Sequence, residues 1–205
     1  MLMKTAMMLE RGSHELQDRA EIIALPDGGL VLVVADGAGG RSGGAEAAEK
    51  VIEMVREFTA TRVSFEDEAF CELLKSVDRA IETNPGAGET TAVVACVSAD
   101  GIMGASVGDS GAWLIGEHGC ENLTRLQQRK PFLGTGMAMP VAFKAGKLSG
   151  TLLLASDGLL KYTSQENICK AVTQNNLNTV AKALIDLVRH PSGSLPDDVC
   201  VVVCR

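Results

Sequence analysis

Short apolar runs and stretches of helical periodicity follow one another along this chain in an order that does not alternate strand with helix. The runs span 22–25, 30–35, 91–97, 102–107, 112–115, 141–145, 151–155 and 199–204. They are rich in Val, Ile and Leu, and each has the length of a buried strand. Between 44 and 60, Ala48, Val51, Ile52, Val55 and Phe58 recur at helical spacing. Ala69, Phe70, Leu73, Leu74, Val77 and Ile81 do so over 66–81, and Val180, Ala181, Leu184, Ile185 and Val188 over 178–188,. A shorter helix is predicted after Thr163, whose spacing to Glu166 fits a capping box,. Two strands, two helices, a run of strands, two more helices and a closing strand predict an α+β fold. In it, antiparallel sheets carry helices on their outer faces.

The chain has 205 residues, which suits one domain over 1–205 able to bury its own core,. Aromatics make up 3% and the net charge is −7. Both argue against nucleic acid or an anionic membrane surface as a partner. The six cysteines contain no C-x-x-C pair, and His14, His118 and His190 are too scattered for a zinc spacing,. A reduced, cytoplasmic protein is expected. Cys200 and Cys204 fall on one face of the run VCVVVC and read as core residues,. No apolar run has the length of a membrane span, and MLMKTAMMLERG lacks the apolar stretch of a signal peptide,.

Four aspartates are placed at strand ends. LVLVVAD ends at Asp36, MGASVGD at Asp109 and TLLLASD at Asp157, while Asp197 precedes the strand in PDDVCVVV. Three strand ends and one strand start share an edge only if the last strand runs opposite to the others, as an antiparallel sheet allows. Carboxylates gathered there repel one another unless a cation intervenes, and oxygen-only ligands select Mg²⁺, Mn²⁺ or Ca²⁺ over zinc. Gly37 would let the main chain approach such an ion closely. Asp and Gly after a strand are also ordinary turn residues, and periodicity alone leaves both readings open. The segment DGAGGRSGG contains neither G-x-G-x-x-G nor a following Gly-Lys-Ser/Thr, which speaks against nucleotide binding,.

Taken in order, these segments resemble the metal-dependent protein phosphatases of type 2C. VVADGAGGRSGGAEAA resembles the family's Asp-Gly-x-Gly-Gly segment, ETTAVVACV its Thr-Thr-Ala strand and ASVGDSGAWLI its Gly-Asp-Ser hairpin. LLLASDGLLKYTSQENI resembles its Ser-Asp-Gly motif and DDVCVVV its closing strand. The resemblance implies a four-layer sandwich of two antiparallel sheets between helices. It implies a Ser/Thr protein phosphatase that uses Mg²⁺ or Mn²⁺, with a water or hydroxide between two metals attacking phosphorus. Asp36, Asp157 and Asp197 would be ligands, with the Gly37 carbonyl also on a metal. Asp18 would hold metal-bound water, and Asp109 would bind a weaker third ion. The implied partner is a phosphorylated protein, and the implied state a monomer.

The chain departs from the family pattern at several positions. Ser13 stands where the family has an arginine that grips the substrate phosphate, so Arg11 and His14 become the candidates. Ala38 replaces a histidine suggested as general acid, and Lys161 replaces an aspartate near the third metal. The interval from Asp109 to Asp157 is short, which shortens the family's flap. A catalytically silent domain that binds a phosphoprotein or kinase is the alternative; the presence of Asp36, Asp157 and Asp197 favours the enzyme.

Overall fold

The computed structural model describes residues 3–12, 15–38, 43–60, 62, 64–66, 68–84, 86–116 and 119–205. Among them are ten strands and five helices. In chain order they run β1 (Thr5–Glu10), β2 (Arg19–Ala24), β3 (Leu30–Ala35), α1 (Gly44–Ala60), α2 (Ala69–Glu82), β4 (Ala92–Val97), β5 (Ile102–Val107) and β6 (Gly111–Gly116). There follow β7 (Gly119–Asn122), β8 (Val141–Ala145), β9 (Thr151–Ala155), α3 (Asp157–Leu160), α4 (Gln165–Gln174), α5 (Leu177–Asp186) and β10 (Val199–Cys204). One sheet has the order β1-β10-β9-β6-β7 and the other β2-β3-β4-β5-β8, with every neighbouring pair antiparallel.

The apolar strands lack polar alternation because both of their faces are covered. In β3, Val31, Val33 and Ala35 face α1 and α2, while Leu32 and Val34 face the sheet that contains β9 and β10. In β10, Val199, Val201 and Val203 face α4 and α5, and Cys200, Val202 and Cys204 face the sheet that contains β3 and β4. Three apolar layers therefore separate four layers of structure, which is the expected α/β/β/α sandwich. Cys200 and Cys204 are fully buried core residues, as their spacing predicts.

The local differences from the sequence reading have physical causes. β1 and β7 are additional strands; β1 lies at a sheet edge with a methionine-rich, weakly patterned sequence,. β2 begins at Arg19, three residues before its apolar run, because its polar residues are paired to α1. Arg19 bonds Glu49 at 2.9 Å and Arg56 bonds Glu21 at 2.8 Å. α4 is capped by Ser164, not Thr163: the Ser164 hydroxyl accepts from the Asn167 amide at 3.2 Å,. Asp157 does not close a strand but opens the single turn of α3, after Ser156.

Candidate metal centre

Register carries the aspartates to one edge. Val201 pairs with Ala155, so the start of β10 lies beside the end of β9, and Asp197 comes near Asp157. Val34 pairs with Val93 and Ala92 with Val107, which places Asp36, Thr91 and Asp109 at neighbouring strand ends. The Thr-Thr pair fastens Asp36. Thr90 Oγ donates to the Asp36 carbonyl at 2.9 Å and the Thr91 amide to the same oxygen at 2.8 Å. The Asp36 amide donates to Thr91 Oγ1 at 3.2 Å, and that hydroxyl meets Ser110 Oγ at 2.6 Å. The Gly-Asp-Ser turn and the Thr-Thr strand are thus joined beneath Asp36.

Two glycines are required by close approach. A Cβ on Gly37 would lie 2.5 Å from the Gly44 main chain, and one on Gly12 2.6 Å from the main chain of Asp197,. Asp198 completes the second contact, accepting from the Gly12 amide at 2.8 Å and from the Gln17 amide at 2.7 Å. Its carboxylate clamps the β1–β2 loop onto the start of β10. Exposed Arg11 immediately precedes the glycine held there. His14 lies outside the described residues.

The electrostatics report a crowded site. Asp18 is 1% exposed. Burial, foremost, with Asp198, Asp157 and Asp197 nearby, pushes its carboxyl up to about 7, although a hydrogen bond from Ser156 opposes this. Burial likewise raises Asp36 well above the usual range, with Asp18, Asp157, Asp109 and Asp197 adding to it. Asp157 is raised by burial, then by Asp109 and Asp197, and is relieved by Lys161 and by a hydrogen bond with Asp36. A bond between two carboxyl groups needs a proton shared between them. The buried Ser156 hydroxyl also accepts from the Cys200 amide at 2.9 Å, so it ties Asp18 to β10.

These residues suit a divalent cation. Asp18 Oδ2 and Gln17 Oε1 are buried acceptors without a hydrogen-bond partner, and leaving such atoms unmatched is costly. The donor set is all oxygen, the chemistry of Mg²⁺ or Mn²⁺. Among the described residues, no three His, Cys, Asp or Glu side chains close into a ready ion cage. Mg²⁺ needs only one or two carboxylates beside its waters. Asp109 differs from the rest: Arg129 Nε donates to its Oδ2 at 2.6 Å. Asp198, Ser156, Thr90, Thr91 and Gln17 are site residues that the strand-end reasoning passed over. For all but Gln17 the signal lay in the motif segments themselves, as Asp or Ser next to Asp and a Thr-Thr pair before a strand.

Residues 9–138 match the family model of protein phosphatase 2C, and the chain belongs to that metal-dependent protein phosphatase family. None of the curated proteins compared with the chain matches it. Solved structures share its fold over nearly the full length. The serine/threonine phosphatase Stp1 from Staphylococcus aureus has 20% identity and a TM-score of 0.85, with 100% of this chain and 95% of that one covered. The catalytic domain of the serine/threonine phosphatase PstP, in complex with two manganese ions, has 22% identity and a TM-score of 0.79, covering 98% and 97%. PppA, a regulatory component of the type VI secretion system in Pseudomonas aeruginosa, has 18% identity and a TM-score of 0.82, covering 100% and 98%. No helix among the described residues is long and apolar enough to cross a membrane.

Proposed function

We propose that the chain hydrolyses phosphoserine and phosphothreonine in proteins, with Asp36, Asp157, Asp197 and the Gly37 carbonyl holding two Mg²⁺ or Mn²⁺ ions. The observation that carries this reading is the meeting of buried, mutually repelling carboxylates around the unmatched Asp18 Oδ2. When bound, a pair of divalent cations acidifies water and neutralises phosphoryl oxygens.

The remaining roles fall to the chain. Asp18, fixed by Ser156, orients the attacking water through Oδ2 and accepts its proton. The new P–O bond forms as the bond to the seryl or threonyl oxygen breaks. Ala38 offers that leaving oxygen no acid, so its proton comes from solvent. Arg11, next to the Gly12 that packs on Asp197, grips the phosphate, with His14 as the second candidate. Asp198 keeps this loop in place.

The test is turnover of p-nitrophenyl phosphate and of a phosphothreonine peptide with Mn²⁺, with Mg²⁺ and with EDTA. Activity that requires the metal and is lost in Asp157→Asn is expected. Arg11→Ala should raise KM for the peptide; an unchanged KM removes Arg11 from the phosphate site. No metal-dependent turnover under any condition leaves the chain a binding module.

A further inference from the structure

We propose that Arg129 on Asp109 and Lys161 beside Asp157 act as side-chain cations at the outer edge of the carboxylate cluster, so that the chain takes up two divalent ions and no third. This rests on the metal centre proposed above and concerns its outer edge, where the family resemblance puts a weaker third ion on Asp109.

Asp109 is already engaged. Its Oδ2 accepts from Arg129 Nε at 2.6 Å, a short charge-assisted bond,. The Asp109 side chain is 23% exposed and that of Arg129 66%. The guanidinium therefore approaches from the solvent side, the side from which an ion would arrive. An incoming cation must displace a bonded positive group from a carboxylate that has only one further oxygen to offer.

Arg129 is not on a loose segment. The connection from β7 to β8 is tied down at its middle, where Asp78 of α2 accepts from the amides of Gly134 at 2.7 Å, Gly136 at 3.1 Å and Ala138 at 3.0 Å. Leu133 and Thr90 exchange main-chain bonds at 2.9 and 3.1 Å. Thr90 is the residue that holds the Asp36 carbonyl. The segment bearing Arg129 is thus bolted to the base of the carboxylate cluster.

Lys161 reinforces the effect. It follows α3, and its amide donates to the Asp157 carbonyl at 2.9 Å. A spacing of four residues puts its side chain on the same side as Asp157. Its ammonium acts on Asp157 and Asp197 as a neighbouring positive charge. Where the resemblance expects a ligand aspartate, this chain presents a charge that repels metal. Two divalent ions already balance the negative charge left on the six aspartates, Asp198 included, once Arg129 and Lys161 are counted.

The experiment counts Mn²⁺ bound to the full chain, using the electron paramagnetic resonance of free Mn²⁺ together with calorimetry, up to low-millimolar metal. The wild type should hold two ions per chain, and Asp109→Asn should leave that number unchanged. The double substitution Arg129→Ala with Lys161→Asp frees Asp109 and adds a carboxylate, so it should hold three. Adding Asp109→Asn to it should return the number to two. Both changed side chains are solvent-exposed, and circular dichroism checks that each variant is folded.

A wild type that takes up a third ion, lost in Asp109→Asn, overturns the inference while leaving the phosphatase reading intact. A folded double variant that still holds two shows that Arg129 and Lys161 are not what bars the third ion. Fewer than two ions in the wild type overturns the metal centre itself, and this inference with it.

Discussion

Gly158 has no room for a side chain, because a Cβ there would be driven into the Asp198 carbonyl oxygen. Asp198 in turn holds the Gly12 and Gln17 amides, so pressure at Gly158 spreads to the loop that presents Arg11. Gly158→Ala is expected to cost roughly 1–3 kcal/mol of stability, as overpacking does, and to raise KM for a phosphopeptide. Chemical denaturation and steady-state kinetics check the two effects. Ser156→Ala removes the hydroxyl that bonds Asp18 and accepts from Cys200. Loss of such a support typically weakens metal affinity about 10–100-fold, which Mn²⁺ titration would detect. Asp36, Asp157 and Asp197 could be picked from the sequence because each stands at the end of an apolar run. Asp198 could not be told from its neighbour by pattern: they differ only in which carboxylate faces the loop, a matter of tertiary packing.

Among the elements, the least regular connection is held by one of the more deeply buried charged side chains. Asp78 is 3% exposed within α2, and its two oxygens serve three amides of the segment 134–138. Asp78→Ala would strand these donors, and a loss of about 2–4 kcal/mol is expected from the thermal or urea transition. Asn at the same position keeps one acceptor oxygen and should recover part of it. Ser164→Ala, which removes the α4 cap, should cost about 1 kcal/mol. Helices α1, α2 and α5 were legible because their apolar stripes are long. β1, β7 and α3 were not, being short or weakly patterned segments defined mainly by their partners: β10, β6, and the turn between Asp157 and Lys161.

For the whole molecule, the carboxylate cluster gives the metal-free protein an unusual response to pH. Asp18 has a folded value of about 7 against 3.8 for the free side chain, and Asp36 and Asp157 are raised as well, chiefly by burial. The folded state therefore binds more protons than the unfolded one between these values, and stability falls as pH rises from about 4 to about 7. A drop in Tm of about 5 °C or more across that window is expected in EDTA. Adding Mn²⁺ should raise Tm more at pH 8 than at pH 5. Equal shifts at both would show that the cation does not relieve this repulsion. The acid limb has the opposite sign. Glu10 is held low by its paired bonds to Arg189, and Asp186 by Lys182 and then Arg189, so their contributions are lost only as pH falls through those lowered values.

The sequence by itself determined the antiparallel α+β class, the runs that become buried strands, and the placing of Asp36, Asp157 and Asp197 beside the ends of those runs. Strand burial and helix periodicity are local properties of side-chain order, and they survive in the linear text. Only the tertiary structure decided which strand ends meet. It also decided that Asp198 clamps the Arg11 loop and that Arg129, twenty residues along the chain, reaches Asp109. Those outcomes depend on register between strands and on loops crossing between the two sheets, and the spacing along one chain carries no record of either.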